Sequence, residues 1–163
     1  MKRPEDKYIL DVCCGGKQFW FDKNHPNAIY LDKRREDYVF AGKQGQKLSV
    51  SPDYISDFKN IPYEDNSFKL VVFDPPHITN CKEDSIMGMM YGSLDENWEY
   101  EISEGFKECF RVLEDKGILI FKWAESRIKA SEVIRLAGVE PLFGHKTRRN
   151  GITIWLAFMK FVL

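Results

Sequence analysis

Apolar runs that stop at an acid or a turn recur along this chain. Tyr8-Ile9-Leu10-Asp11-Val12-Cys13-Cys14 leads into Gly15-Gly16, and Ala28-Ile29-Tyr30-Leu31 leads into Asp32. Lys69-Leu70-Val71-Val72-Phe73 stops at Asp74-Pro75-Pro76, and Gly117-Ile118-Leu119-Ile120-Phe121-Lys122-Trp123 is a further run. Short continuous apolar runs with such borders read as strands buried on both faces. Tyr54-Ile55-Ser56-Asp57 is a shorter strand candidate. Pro141-Leu142-Phe143-Gly144 and Ile152 to Met159 predict the last two strands. The Asn150-Gly151 pair between them favours a tight reversal, so they are expected to run antiparallel.

Helical periodicity is plain in one place. Trp98, Ile102, Phe106, Cys109, Phe110 and Leu113 recur at steps of three and four. Ser93-Leu94-Asp95-Glu96 ahead of them has the form of a capping box, and Gly117 follows as a stop. A second helix is predicted from Glu125 to Ala137, with Ile128, Ile134 and Ala137 inward and Gly138 as its end. Only the 13 residues from Gly15 to Asn27 separate the first two strands, so a helix there must be short and pack through Phe19, Trp20 and Phe21. Residues 38–50 read as a β-hairpin. His77 to Gly92 shows no clear period and is expected to be a mobile loop.

Strands alternating with helices imply an α/β domain with a mostly parallel sheet covered on both faces. Such sheets bind ligands at the carboxyl ends of their strands. Asp11, Asp32, Asp57 and Asp74-Pro75-Pro76 all fall at those ends. Their convergence is the main functional clue.

Composition narrows the picture further. With 163 residues and 44% hydrophobic content, a single domain over 1–163 is expected. A net charge of -1 does not mark a nucleic-acid binder, although a local basic patch suffices for phosphate contacts. Lys146-Thr147-Arg148-Arg149 is the best candidate for one. The four cysteines form no C-x-x-C pair and the histidines are scattered, so no metal site is expected. A charged start without an apolar leader, free thiols and no run near the roughly 20 apolar residues of a membrane span suggest a cytoplasmic protein without membrane association.

Ile9-Leu10-Asp11-Val12-Cys13-Cys14-Gly15-Gly16 resembles the glycine-rich first motif of class I S-adenosylmethionine-dependent methyltransferases, usually D-x-G-x-G-x-G. The resemblance runs over about residues 8–123 and includes Ile61-Pro62-Tyr63-Glu64-Asp65-Asn66-Ser67-Phe68. It implies a Rossmann-like fold: a mostly parallel seven-stranded sheet with an antiparallel last strand, helices on both faces and a hairpin insertion near 38–50. It also implies S-adenosyl-L-methionine as cofactor, with S-adenosylhomocysteine as product. Asp11, Cys13, Cys14, Gly15 and Gly16 would then form the cofactor turn, Asp32 would take the ribose hydroxyls, and Asp57-Phe58 would meet the adenine. Cys13 and Lys17 stand where the first and last glycines usually fall. With the usual turn shape, Lys17 would be an obstacle, which predicts a turn of different form.

Asp74-Pro75-Pro76-His77 resembles the D/N/S-P-P-aromatic motif of amino-methyltransferases. An exocyclic amine is a poor nucleophile because its lone pair is delocalised into the ring. An Asp side chain and the first proline's carbonyl can accept its N–H groups and aim the lone pair, while two prolines keep the backbone rigid. His77 would stack on the acceptor, with a base role second. Tyr91 and Lys122 are candidates to hold substrate, with Lys146, Arg148 and Arg149 on phosphates. The whole pattern is similar to compact phage and prophage adenine methylases. That favours a nucleic-acid partner, DNA over RNA, and a monomer or homodimer. Open alternatives are an RNA base, a protein glutamine, a small amine, or a non-catalytic cofactor-binding domain.

Overall fold

The computed structural model describes residues 1–40, 47–82, 84–147 and 151–161. Its seven-stranded sheet comprises β1 (Ile9–Asp11), β2 (Ala28–Asp32), β5 (Tyr54–Ile55), β6 (Phe68–Phe73), β7 (Leu113–Ala124), β8 (Phe143–Lys146) and β9 (Thr153–Met159). β3 (Glu36–Val39) and β4 (Lys47–Val50) form a separate antiparallel pair, the expected hairpin, whose tip at 41–46 lies outside the described residues. The sheet order is β5-β2-β1-β6-β7-β9-β8. β1, β2, β5, β6 and β7 pair in parallel, and β9 runs antiparallel to both its neighbours. The chain direction across the sheet reverses between β1 and β6. A crevice opens at the carboxyl ends of such a pair, where ligands bind in open α/β sheets.

The sequence explains which face is covered by what. Ile29, Leu31, Val71, Phe73, Leu119 and Phe121 alternate along their strands onto one face. There they meet Ile102, Phe106 and Cys109 of α2 (Trp98–Val112) and Val133 of α3 (Ala130–Ala137). Trp123 is fully buried there and its indole N–H donates to the Ile128 carbonyl, 3.0 Å. On the other face Ala28 and Tyr30 pack with Cys14 and Trp20.

The short helix expected between β1 and β2 is absent: residues 15–27 hold only turns and bends. Trp20 anchors this segment by donating to the buried Asp11 carboxylate at 2.8 Å and stacking edge-on against Tyr30. Phe19 meets the Trp155 ring edge-on, whereas Phe21 is fully exposed. Large aromatic side chains thus cover this part of the sheet without a helix.

Other expectations change as well, and the helix expected from Glu125 begins only at Ala130. Ser93 caps no helix; its hydroxyl donates toward the Ile78 and Leu94 carbonyls and accepts from Cys81 N–H, while α2 begins after Asn97. α2 stops at Val112 rather than reaching Gly117, because Leu113 turns directly into β7. The segment after Pro76 contains the short helix α1 (Ile86–Tyr91), started by the Ser85 hydroxyl and ended at Gly92, φ 73°. Leu94 N–H to Ile78 O and Asn80 N–H to Leu94 O close the base of this excursion.

Candidate active site

A cavity of about 370 Å³ lies at the carboxyl ends of β1, β2, β6 and β7. That is within the usual size range of small-molecule sites. Its walls come from the turn after β1, the acid ending β2, the segment after β5, the Asp-Pro-Pro-His segment after β6, and α1.

Cys13, Cys14, Gly15 and Gly16 line the cavity, as do Asp32 and Phe58. Gly15 is left-handed, φ 48°, and a Cβ added to it meets nothing within 4 Å. The open space beside its backbone is what a ligand lying against the turn requires. Gly15 N–H donates to Asp32 Oδ2, 2.9 Å. Asp32 Oδ1 accepts from Arg34 N–H and Nε–H at 3.0 and 3.2 Å. Asp32 is only 5% exposed, yet borders the cavity.

Lys17 is no obstacle. It takes φ 52°, and its ammonium sits 3.8 Å from the centre of the Tyr30 ring, off the cavity wall. The turn spends a left-handed lysine, held by a cation–π contact, where a glycine was expected. Burial pushes the Cys13 and Cys14 thiols up, so they stay protonated and act as small packing groups.

Two acids assigned to the cofactor stand elsewhere. Asp11 is fully buried beneath the turn, accepting from Trp20 and from Cys13 N–H at 3.2 Å, and burial pushes its carboxyl up to about 7. Its Oδ2 accepts from Trp20 and its Oδ1 from Cys13 N–H, which ties the turn to the buried end of β1. Asp57 turns away to cap Lys59 N–H, 2.9 Å, and pair with the Lys59 ammonium, 3.6 Å. Its neighbours Ser56 and Phe58 line the wall instead.

Asp74, Pro75, Pro76 and His77 line the same cavity as Asp32. Lys122, reaching over from β7, donates to Asp74 Oδ2 at 2.6 Å. The rings of Phe19 and Trp155 flank its ammonium at 5.5 and 5.7 Å. Burial raises the Asp74 carboxyl above the ordinary range, and Lys122 pulls it back only in part. Burial, together with the Lys122 charge, lowers His77, so its imidazole is neutral near pH 7. The ring faces Tyr91 at 5.2 Å. Met87, Met90 and Tyr91 of α1 also line the cavity, as does Lys122.

Lys146 is off the wall, paired with Glu125 at 2.7 Å near the rim formed by Ala124 and Ser126. Arg148 and Arg149 lie outside the described residues. Arg34 and Phe19 are wall residues that sequence reasoning missed. For Arg34 the available signal was its place two residues beyond the acid of β2. The charged run Lys33-Arg34-Arg35-Glu36-Asp37 hides it as ordinary surface.

The chain matches many solved structures along nearly its whole length. A methyltransferase of Methanosarcina mazei described as S-adenosylmethionine-dependent shares 13% identity, with 99% of this chain and 95% of the other covered and a TM-score of 0.60. The chain therefore has the class I methyltransferase fold. The N-methyltransferase NodS of Bradyrhizobium japonicum matches this methyltransferase fold at 12% identity, 96% and 86% coverage and a TM-score of 0.57. The Thermus thermophilus 16S rRNA N2 G1207 methyltransferase, solved with AdoMet and guanosine, matches at 14% identity over 99% of this chain and 37% of its own, TM-score 0.55. No protein-family model and no curated protein matches the sequence. Among the described residues, no helix is long and apolar enough to cross a membrane.

Proposed function

We propose that this protein is an S-adenosylmethionine-dependent methyltransferase acting on an exocyclic amino nitrogen of a nucleic-acid base, adenine N6 of DNA foremost. One observation carries the reading: Asp32 and the Asp74-Pro75-Pro76-His77 segment border one cavity. The cofactor fits the residues present. Asp32, which already accepts from Gly15 and Arg34, keeps acceptor capacity for a ribose hydroxyl, the open side of Gly15 admits a ligand against the backbone, and Phe58 offers an apolar wall for adenine. When bound, S-adenosylmethionine supplies an electrophilic methyl on a positively charged sulfur.

The chain's own residues then prepare the acceptor. Asp74 Oδ1 is the oxygen left for an amine N–H, because Lys122 occupies Oδ2. The Pro75 carbonyl takes the second N–H, and two consecutive prolines fix the spacing between these acceptors. The amine lone pair is thereby turned toward the cofactor side of the cavity. Neutral His77, facing Tyr91, offers a flat surface for the base and an imidazole that can pass the released proton to water. A base reaches such a cavity only from a single strand or by leaving the duplex stack.

The test is incubation with methyl-labelled S-adenosylmethionine and separate DNA, RNA and protein fractions, followed by mass spectrometry of nucleosides. N6-methyladenine in DNA is the expected product. Label found only in RNA or protein moves the substrate there. Failure to bind S-adenosylhomocysteine at millimolar concentration by calorimetry rejects the methyltransferase reading itself.

A further inference from the structure

Arg34 touches three parts of the cavity at once. Its Nε–H donates to Asp32 Oδ1 at 3.2 Å, and its Nη1 donates to the Gly88 and Met89 carbonyls of α1 at 3.3 and 3.0 Å. A Cβ built on Gly92 would lie 3.8 Å from Arg34 Cζ and 3.2 Å from Pro76 Cγ. The guanidinium therefore sits beside the backbone that packs on the Asp-Pro-Pro segment. Its side chain is 19% exposed.

α1 needs this partner. Its last turn carries no basic residue of its own, and a six-residue helix is too short to hold itself. Met89 and Met90 lean on the hairpin residues Phe40, Leu48 and Val50, which supports α1 from outside. On the cavity side, the polar hold is Arg34 capping the C-terminal carbonyls. Only a planar fork with several donors can grip a carboxylate and two carbonyls together.

We propose that Arg34 is a positioning residue that couples the two halves of the site, so that a ligand seated on Asp32 orders the α1 wall around the acceptor. The proposal rests on the methyltransferase reading above. A ribose hydroxyl bound to Asp32 adds to the three hydrogen bonds its carboxylate already accepts from Gly15 and Arg34, and so holds it more firmly. The fixed carboxylate fixes Arg34, which in turn fixes the carbonyl end of α1. α1 carries Met87, Met90 and Tyr91 on the cavity wall, and Tyr91 faces His77. The acceptor pocket is therefore completed after the cofactor is in place. Linkage makes the effect reciprocal, so an acceptor that orders α1 also tightens cofactor binding.

The experiment is hydrogen exchange of the backbone amides at 86–92, with and without S-adenosylhomocysteine, in the wild-type protein, Arg34→Lys and Arg34→Ala. In the wild type the ligand should slow exchange there by about fivefold or more, the low end of ordinary site-to-site coupling. Arg34→Lys keeps a cation beside Asp32 but cannot span to α1. By linkage it should bind the ligand about three- to tenfold more weakly than wild type, the size of the coupling lost, and show less than about 1.5-fold slowing. The ligand-free exchange of each variant separates loss of coupling from general loosening of α1. Equal ligand-induced slowing in Arg34→Lys overturns the proposal, as does wild-type binding without any slowing at 86–92. Loss of ligand binding in Arg34→Lys also overturns it, by making Arg34 part of the cofactor grip alone. If the wild type binds no S-adenosylhomocysteine, the methyltransferase reading has failed first, which the same calorimetry reports separately.

Discussion

Lys122 Nζ stands 2.6 Å from Asp74 Oδ2, on the same cavity wall as the two prolines that follow Asp74. The pair does two things. It consumes one carboxylate oxygen and so aims the other, and it opposes the rise in the Asp74 pKa that burial causes. Asp74 must be ionised to accept an amine N–H, so activity should rise with pH through the Asp74 pKa. Removing Lys122 removes the lowering influence, and the acid limb of the kcat profile should move to higher pH. Lys122→Met should also lower kcat roughly 10- to 150-fold, the equivalent of one charge-assisted hydrogen bond of about 1.5–3 kcal/mol. Lys122→Arg should recover much of both. A kcat profile in Lys122→Met with its acid limb in the wild-type position would assign Lys122 to substrate contact instead.

Asp32 and Asp74 should separate cleanly when each is truncated. If Asp74 serves the acceptor as proposed, Asp74→Ala should abolish transfer while S-adenosylhomocysteine binds nearly as before. Asp32→Ala should weaken that binding by about 1–3 kcal/mol, the loss of hydrogen bonds to a charged group. Calorimetry on both variants decides it. Asp74→Ala losing ligand binding as well as transfer would make Asp74 a structural acid of the β6 end.

Much of the candidate site's lining was legible because its parts are local. Asp32 and Asp74 each close an apolar run, and a strand that ends in an acid places that acid at the carboxyl edge of the sheet. The glycine turn and the proline pair are contiguous in sequence for the same reason. What was hidden depends on contacts between distant segments. Asp11 reads as a cavity acid until Trp20, nine positions on, takes its oxygen. Lys17 reads as an obstruction until the Tyr30 ring gives its ammonium a place off the wall. α1 is only six residues long and half methionine, so no period betrays it. It stands because Arg34 and the hairpin hold it. Serine and glutamate spaced as a capping box at 93–96 misled because the Ser93 hydroxyl is engaged by the loop base it helps close.

Gly105 links the core to the cavity. It lies in α2, and a Cβ there would come within 2.5 Å of Phe73 and 2.8 Å of Phe58. Both rings are buried, so neither can swing aside freely. Gly105→Ala should destabilise the fold by about 1–3 kcal/mol, the usual cost of overpacking. Phe58 lines the cavity, so its displacement should also weaken S-adenosylhomocysteine binding. Urea unfolding and calorimetry on the same preparation test the two effects. A variant less stable but unchanged in affinity would mean that Phe73 alone absorbs the strain.

Asp11 should make stability depend on pH in an unusual direction for a carboxylate. Burial raises its folded pKa from near 3.8 to about 7, with the Trp20 and Cys13 hydrogen bonds opposing the rise only partly. Below about pH 4 both folded and unfolded chains hold the proton, and Asp11 imposes no penalty. As pH rises above that, the unfolded chain releases its proton while the folded one retains it, so folding becomes progressively less favourable until about pH 7. Above pH 7 both are ionised and the penalty stays constant. Between pH 5 and 8 the loss is on the order of 3 kcal/mol, two pKa units' worth. Asp11→Asn retains an acceptor oxygen but cannot titrate, and every other group is common to both proteins. The difference in unfolding free energy between wild type and Asp11→Asn should therefore move in the variant's favour from pH 5 to pH 7 and then level off. Parallel stability curves would mean that Asp11 is ionised beneath the turn throughout, with Trp20 and Cys13 sufficient to hold its charge.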